Sequence, residues 1–422
     1  MLILSGMNTK QLHQVRSRLD RFLGDLLDLI GRSERRRWAA LYVEGLLSEI
    51  DRKTAAGIAS RFPDGNVQAV QQLLQGSPWD FAPVRQALAR KAIAEMKPVE
   101  VCIIDDTGFP KKGRHSVGVT RQYCGVHGKV ENCQVAVSLH YANEQASFPL
   151  DWALYLPESW INDPQRRQEA GIPPEVTFKR KWELALELMD RSLNNGVTLG
   201  VIVADASYGS VTEFREGLAS RRLTYCVGID GQLTFWRKET LRRTVPYRGF
   251  GRPPVSRYFP EAAPETARQI ADGLPDKTWE ELVYWQGTKG PLHAPFAALR
   301  FQPAHGYKQH QPEQPMVWLL IQKTPDKQTP YVFYLSNMAA STPLSQLVKV
   351  TRLRWRIEMD YQTLKGQVGL DHYEGRSWLG WHHHVTLTTM AFVFLLLERL
   401  RDSFSPSVIA DDPPSDSAGD LG

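Results

Sequence analysis

The sequence changes character at residue 98, and this change constrains the fold more than any other feature. Residues 8–97 place apolar side chains three and four positions apart, which predicts a series of amphipathic helices. Pro98 ends that pattern, and residues 99–104 (VEVCII) form an apolar run rich in β-branched side chains. Such a run predicts a buried strand, and this strand stops at two adjacent acids, Asp105 and Asp106. The chain therefore joins a helical N-terminal region to a domain that contains a sheet.

Strands and helices alternate downstream of this first strand. Residues 132–142 and 147–156 are two strand-like runs joined by a short polar turn, which predicts an antiparallel hairpin. A helix over 179–196, a strand that ends at Asp205 and a further strand over 223–229 are expected next. This order predicts a mixed fold of the α/β (α+β) class.

The pattern changes again between Gly231 and Tyr331, where Pro and Gly are frequent and short strand-like runs replace helical periodicity. We expect a β-rich insertion here, followed by a strand, a long helix after Ser341 and a last apolar helix. The predicted regions are the N-terminal helices (1–97), the first part of the core (98–230), the β-rich insertion (231–333), the second part of the core (334–401) and an acidic tail (402–422).

The net charge of +5 is unevenly distributed along the chain. Residues 402–422 contain five acidic residues and no Lys or Arg, a composition that predicts a disordered tail. Without this tail the balance rises to about +10, which favours nucleic acid as a partner, although many basic proteins bind none.

Cysteine content and hydropathy exclude several classes of protein. Four cysteines, none in Cys-x-x-Cys spacing, argue against a disulfide framework and against zinc. The apolar stretch 385–397 is shorter than the roughly 18 residues that a membrane helix needs, so it predicts a buried helix. The first residues lack the features of a signal peptide. We therefore expect a cytoplasmic protein with no membrane association.

Two basic segments are candidates for contacts with nucleic acid. The N-terminal helices suit either a bundle that packs on the rest of the chain or a helix-turn-helix-like module. In the insertion, residues 236–257 carry seven basic residues and one acid, among them Arg237, Arg242 and Arg243, interleaved with aromatic residues. This mixture suits a nucleic-acid backbone and base stacking, and a solvated basic loop is an equally good interpretation.

Three acids have positions that suit a metal site. Asp106 follows a buried strand, Asp205 follows another, and Glu358 lies on the long helix after the insertion. Buried carboxylates are costly unless they are paired or bind a cation, and oxygen ligands favour Mg²⁺ or Mn²⁺ over zinc. Two such ions activate a water or a 3′-hydroxyl and stabilise the leaving oxygen of a phosphodiester. Taken singly, each acid also suits a simpler role: a Walker B-like strand end, a turn or a helix surface.

The long helix places several polar side chains on one face. On a period of 3.6 residues, that face carries Thr351, Arg354, Glu358, Tyr361 and Lys365. An acid flanked by two cations suits a metal ligand whose neighbours hold phosphates, and a solvated stripe of salt bridges is the alternative. The last helix begins with three consecutive histidines, 382–384, whose side chains diverge too much to bind one ion. We interpret them as the polar start of that helix.

Three segments together resemble the DDE transposases of bacterial insertion sequences. They are VCIIDDTGFPKKG, GVIVADASYG and LRWRIEMDYQTLKG, and the likeness is to the subgroup with a β insertion before the catalytic Glu. The resemblance implies a ribonuclease H-like core with a catalytic triad of Asp106, Asp205 and Glu358, and with Asp105 as the neighbour of the first acid. In the family's Tyr-(2)-Arg-(3)-Glu-(6)-Lys signature, Arg354, Glu358 and Lys365 match, whereas Thr351 replaces the Tyr.

The same resemblance implies a function and its partners. A transposase of this family uses two Mg²⁺ or Mn²⁺ ions, binds the terminal inverted repeats of its element and joins DNA ends as a homodimer in a synaptic complex. Lys111, Lys112 and Arg114 would contact phosphates, and Tyr331 or Phe333 would stack on a flipped base. A transposase-derived DNA-binding protein or repressor without strand transfer, and a ribonuclease H-like nuclease, are the alternative functions.

Overall fold

A computed structural model describes residues 9–237, 242–243, 247, 249–251, 257–258, 263–287, 290–304, 314–326, 328 and 330–402. The helices are α1 (Thr9–Leu27), α2 (Ser33–Leu47), α3 (Ala55–Ser60), α4 (Val67–Gln71), α5 (Phe81–Glu95), α6 (Glu158–Ile161), α7 (Pro164–Ala170), α8 (Lys181–Asn194), α9 (Ala206–Gly209), α10 (Thr212–Ser220), α11 (Ala267–Asp272), α12 (Leu344–Leu353), α13 (Arg356–Gly366) and α14 (Trp378–Asp402). The strands are β1 (Val101–Pro110), β2 (Thr120–Cys124), β3 (Lys129–Ala142), β4 (Ser147–Leu154), β5 (Val201–Ala204), β6 (Cys226–Ile229), β7 (Thr234–Trp236), β8 (Arg242–Arg243), β9 (Arg257–Tyr258), β10 (Glu265–Thr266), β11 (Glu280–Gly287), β12 (Gly290–Pro303), β13 (Val317–Lys323) and β14 (Tyr331–Ser336).

The predicted fold class is confirmed: the chain has a helical N-terminus and a mixed α/β remainder consistent with a ribonuclease H-like core. Two compact units divide it. Among the described residues, unit 1 comprises those of 9–99, 104–199 and 355–402, and unit 2 comprises those of 100–103 and 200–354. The region boundaries predicted from the sequence stay predictions, and the acidic tail lies outside the described residues from 403 onward.

Helix α14 is the centre of the helical part of unit 1. Its residues from Val385 to Val393 are all buried, as expected of a helix that is apolar on every side. Helices α2 and α5 pack against it, and the rings of Phe22 on α1 and Phe394 on α14 lie 5.6 Å apart. The apolar stretch is therefore a protein core, as predicted. Among the described helices, none is long and apolar enough to cross a membrane.

The three histidines of α14 are buried, so their interpretation as a polar helix start was wrong. Their side chains diverge to separate partners: His382 Nδ1 contacts the Arg85 guanidinium, and His384 Nδ1 lies 2.9 Å from the Tyr42 hydroxyl. Burial lowers the pKa of His383 to about 4 and that of His384 to about 3, so both rings are neutral at neutral pH. All of these partners come from helices more than 290 residues earlier in the chain.

The sheet of unit 1 contains the predicted hairpin. Strand β3 pairs antiparallel with β4, with Tyr141 opposite Phe148, and it also pairs with β2 and β1. Helix α8 packs against β3 and β4. This arrangement brings the start of α8 to the part of the sheet that carries the first pair of acids.

The sheet of unit 2 has two faces with different helices on them. Its strand order is β10-β7-β12-β13-β14-β6, with β11 also paired to β12. Because side chains alternate along a strand, Leu319 and Ile321 of β13 pack in one cluster with α11, whereas Leu320 packs with α12 on the other face. Helix α11 was missed in a segment predicted to lack helices, although Thr266 and Gln269 form the capping box that marks its start.

The predicted insertion begins after β6 and ends before β14, and these two strands pair with each other. Strand β6, the last strand of the predicted first core region, pairs antiparallel with β14, and Ile229 lies opposite Phe333. Strand β6 is also bridged in parallel to β5 through Ile202 and Tyr225. Residues 230–330 therefore lie in the chain between two paired strands.

Candidate active site

Strand β1 continues through the two acids that were predicted to follow it. It extends to Pro110, and just beyond this end the Lys111 N–H donates to the Asn132 carbonyl, so pairing with β3 carries the strand past the acids. Since side chains alternate along a strand, Asp105 and Asp106 project to opposite faces. The Asp106 N–H donates to Asp105 Oδ1 at 2.8 Å, so the Asp105 carboxylate is turned back to its own strand.

The Asp106 carboxylate has a cationic partner that the sequence analysis missed. The Lys181 ammonium, at the first residue of α8, donates to Asp106 Oδ2. Both side chains are partly exposed, at 36% for Lys181 and 20% for Asp106. One signal was present in the sequence: residues 179–181 are all basic, although cations at a helix N-terminus oppose the helix dipole. A basic cluster at such a position indicates an acidic partner elsewhere.

Glu358 lies in the first turn of a helix that is shorter than predicted. The single long helix after Ser341 is wrong, because α12 ends at Leu353 and α13 begins at Arg356. Arg354 and Trp355 between them keep right-handed helical backbone angles, and no Pro or Gly marks the interruption. The predicted polar face is thus divided between two helices, and a carboxylate in the first turn of α13 suits that helix's dipole.

Buried polar contacts fix α13 on the sheet of unit 1. Asp360 accepts from the Ser147 hydroxyl at 2.8 Å, and its other oxygen lies 2.7 Å from His140 Nδ1. The next residue, Tyr361, hydrogen-bonds through its hydroxyl to the Ser138 hydroxyl at 2.7 Å. These partners lie on β3 and β4, so the helix that carries Glu358 has a defined register on the two strands.

Lys365 connects α13 to β1 beside the first acids. Its ammonium donates to Thr107 Oγ1 at 2.6 Å and to the Gly108 carbonyl at 2.8 Å. Burial lowers the pKa of Lys365 to about 8. The structure therefore brings Lys365, predicted only from its position on a helix, next to the segment that contains Asp106.

Asp205 lies in unit 2, at the end of β5, where it caps the short helix α9. Its Oδ1 accepts from the Ser207 N–H at 3.0 Å, the Ser207 hydroxyl at 2.6 Å and the Tyr208 N–H at 3.4 Å. The described bonds of this carboxylate all end on Oδ1. The predicted strand that ends at Asp205 is confirmed, and its carboxylate is held by the turn that follows.

The Asp205 turn requires glycine at position 209. A Cβ on Gly209 would lie 2.0 Å from the Gly228 carbonyl oxygen of β6, far inside van der Waals contact. We expect Gly209→Ala to displace α9 and the carboxylate it holds, with a loss of about 1–3 kcal/mol in the free energy of unfolding. A urea titration followed by circular dichroism measures this loss. Gly24→Ala, at an interior position of α1 where a Cβ would meet no atom within 4 Å, is the comparison and should leave stability unchanged or slightly raised.

Several residues predicted to contact phosphates have partners within the protein. The Lys111 ammonium donates to the Tyr373 carbonyl at 2.6 Å, and burial lowers its pKa to about 8. The Thr351 hydroxyl donates to a carbonyl of its own helix. Lys112 and Arg114 are exposed, and their predicted contacts stay predictions.

The basic residues of the insertion are only partly described. Arg237 is exposed and forms an ion pair with Glu265 of β10. Arg242 and Arg243 form β8, which pairs with β9, and their side chains lie outside the described part of the structure. Their role in binding nucleic acid stays a prediction.

Tyr331, the candidate for base stacking, already stacks on a protein ring. It lies nearly parallel to Trp279, with ring centroids 6.0 Å apart and planes 13° apart. The Arg268 guanidinium covers the Tyr331 ring at 5.4 Å. A base would have to replace one of these contacts.

The carboxylates of the candidate site carry the oxygen donors that divalent ions such as Mg²⁺ prefer. In the described ranges, no group of three or more His, Cys, Asp or Glu side chains is placed to hold a metal ion. The individual acids do suit a hard cation, because Asp106 already accepts an ammonium and the described bonds of Asp205 use one oxygen. The four cysteines are buried free thiols, so oxygen donors remain the natural ligands.

Residues 25–291 match the family model of the DDE superfamily endonucleases, and the chain belongs to this family. The matched range includes Asp106 and Asp205. A curated relative, the probable transposase for insertion sequence element IS701 of Microchaete diplosiphon, is 30% identical over 254 residues. That alignment covers 60% of this chain and 62% of the relative, so the chain matches less than two thirds of the relative's length.

Proposed function

We propose that this chain is a transposase that binds the terminal inverted repeats of an insertion sequence, cleaves the DNA there and joins the 3′-hydroxyl ends to target DNA. The observation that carries the proposal is the position of the Asp106 carboxylate on β1. It binds a cationic group, the Lys181 ammonium, and it lies within the residues that match the endonuclease family. The likeness to a probable transposase supports the step from nuclease to transposase.

The proposed chemistry assigns the catalytic carboxylates to Asp106, Asp205 and Glu358, with Asp105 beside the first. Endonucleases of this superfamily generally use divalent metal ions. Two Mg²⁺ or Mn²⁺ ions, when bound, supply activation of the attacking hydroxyl and stabilisation of the leaving oxygen. The protein's part is to hold these carboxylates in place: β1 and β5 position the two Asp residues, and the contacts of α13 with β3 and β4 position Glu358.

The DNA contacts are assigned to the basic residues near these acids and in the insertion. Lys365 and Arg354 would donate to phosphate oxygens through charge-assisted hydrogen bonds. Thr351 and Tyr331 would add a hydroxyl contact and base stacking. The remaining candidates, all basic, are Lys111, Lys112, Arg114, Arg237, Arg242 and Arg243. The N-terminal helices would read the repeats, a homodimer would pair two ends, and the protein would act on double-stranded DNA in the bacterial cytoplasm.

One assay tests this function against its alternatives. The full chain is incubated with Mg²⁺ and labelled DNA that carries the terminal sequences of the insertion sequence that encodes it. Nicks with a 3′-hydroxyl and joined products are the expected result. Nicking without joining would indicate a nuclease. Specific binding without cleavage in Mg²⁺ or Mn²⁺ would indicate a DNA-binding protein or repressor.

The proposal predicts a pH dependence of DNA binding to which Lys365 contributes beside Lys111, because burial lowers the pKa of each to about 8. The Lys365 ammonium is present below pH 8 and is lost as the pH rises through that value. We expect DNA affinity to fall about tenfold between pH 7 and pH 9.5, since a charge-assisted hydrogen bond contributes about 1.5–3 kcal/mol. Lys365→Arg keeps its charge over this range and should flatten the profile. Fluorescence anisotropy at constant ionic strength measures the effect, with exposed Lys112→Arg as the matched control. An unchanged profile in Lys365→Arg would exclude Lys365 from the phosphate contacts.

A further inference from the structure

The Lys181 ammonium lies on the carboxylate to which catalysis is assigned. Lys181 Nζ donates to Asp106 Oδ2 from the first position of α8. The Lys181 side chain is 36% exposed, so the residue is not enclosed by the protein. A lysine stem is flexible and its ammonium is a compact point charge, so it exchanges partners easily.

Stability of α8 does not explain the position of Lys181. A cation in the first turn of a helix opposes the helix dipole. The start of α8 is capped by other groups, because the Glu183 carboxylate accepts from the Arg180 N–H at 2.7 Å. Ion pairs that are as exposed as that between Lys181 and Asp106 also contribute little to folding. The contact therefore requires a reason other than local structure.

Asp105 and Asp106 on β1 concentrate negative charge, and a cation close to them stabilises it. The pKa of the Tyr361 phenol is raised well above its ordinary value, first by burial and then by the charges of Asp105 and Asp106. Lys365 is directed at neutral oxygens, the Thr107 hydroxyl and a backbone carbonyl. Of these two ammonium groups, the one on Lys181 is bonded directly to a carboxylate of the pair.

We propose that Lys181 is an exchangeable counter-cation for Asp106. Lys181 pairs with this carboxylate and fixes its orientation while no divalent ion is bound. It releases Asp106 Oδ2 when one binds, and its ammonium then turns to a phosphate oxygen of the DNA. The inference rests on the proposed function, because it takes Asp106 as a metal ligand.

Metal affinity measures the first half of this exchange. Binding of Mn²⁺ to the full chain is followed by electron paramagnetic resonance of the free ion, without DNA and without turnover. Because the competing charge is removed, Lys181→Gln should bind Mn²⁺ about three- to fivefold more tightly than the wild type, a factor typical of a partly exposed ion pair. Lys179→Gln is the matched control: Lys179 lies two residues earlier, is 37% exposed and pairs with Glu187. It should leave Mn²⁺ affinity unchanged.

DNA affinity with and without Ca²⁺ measures the second half. Ca²⁺ takes the same oxygen ligands as Mg²⁺ with looser geometry, so it reports binding apart from cleavage. We expect Lys181→Gln to weaken DNA binding about fivefold in Ca²⁺ and by less than twofold in its absence. Lys181→Arg retains the charge and should restore wild-type values in both measurements. Circular dichroism and thermal melting establish that each variant is folded.

The outcomes separate this inference from the proposed function. If Asp106→Asn weakens Mn²⁺ binding but Lys181→Gln matches the wild type, the counter-cation role is overturned and the catalytic role of Asp106 stands. If Lys181→Gln weakens DNA binding equally with and without Ca²⁺, Lys181 is a permanent DNA contact and the exchange is wrong. If Asp106→Asn leaves Mn²⁺ binding unchanged, Asp106 is not a metal ligand, and both the proposed metal site and this inference are wrong.

Discussion

Replacement of Asp106, Asp205 or Glu358 by its amide is expected to reduce DNA cleavage at least about 10³-fold. An amide preserves shape and most hydrogen bonds but lacks the charge that holds a hard cation. Transition-state stabilisation by such ions is several kcal/mol, and about 1.4 kcal/mol corresponds to a factor of ten in rate. Single-turnover cleavage of labelled end DNA in Mg²⁺ measures the loss, and anisotropy should show DNA affinity within about threefold of the wild type.

Two comparisons make this result specific. Glu169→Gln removes an exposed carboxylate on α7 and should cleave like the wild type. Asp105→Asn tests the neighbouring acid, whose carboxylate accepts from the Asp106 N–H, and we expect a smaller loss than for Asp106→Asn. Cleavage at the wild-type rate by Glu358→Gln would show that Glu358 is not a catalytic residue. A larger loss of cleavage in Asp105→Asn than in Asp106→Asn would show that Asp105 is the first catalytic acid.

The largest loss of stability is expected for Arg85→Ala. Arg85 is 5% exposed and donates to the Thr386 hydroxyl, Asp151 Oδ1 and backbone carbonyls of unit 1. Its removal takes one donor from each of these acceptors, and breaking a buried ion pair costs about 3–5 kcal/mol. A urea titration of the full chain should show this decrease in the transition that involves unit 1.

Arg191→Ala is the matched comparison because it removes the other cation on the same carboxylate. Arg191 Nε donates to Asp151 Oδ2 at 2.8 Å, but its side chain is 46% exposed. Exposed pairs contribute about 0–1 kcal/mol, so this variant should unfold nearly like the wild type. Equal losses in the two variants would show that burial of Arg85 does not determine its contribution.

Most elements of the fold were predictable because their patterns are local. The hairpin of β3 and β4, the strand before Asp205 and the buried α14 follow from alternation, helical periodicity and a continuous apolar run. The break between α12 and α13 was not predictable, since Leu353 to Arg356 contains neither Pro nor Gly. Long-range contacts likewise decided the burial of the histidines of α14, each of which has a partner in the first 85 residues.

The candidate site likewise contains residues that the sequence predicts and contacts that only the structure shows. The acids could be selected from their position after apolar strands, and Lys365 from its spacing to Glu358. The Lys181 contact could not be deduced, because it joins residues 75 positions apart on two different elements. The anchoring of α13 by Asp360 depends on His140 and Ser147, each more than 210 residues away, and no local pattern marks such a pair.

The pairing of β6 with β14 has a consequence for the history of this chain. Since Ile229 and Phe333 are partners across one ladder, the path between them starts and finishes at almost the same place. A tight turn of a few residues would join β6 to β14 equally well in place of the hundred or so residues that now connect them. One genetic event could therefore have added this excursion to an ancestral hairpin, or could delete it from a descendant, without altering the order of the strands on either side.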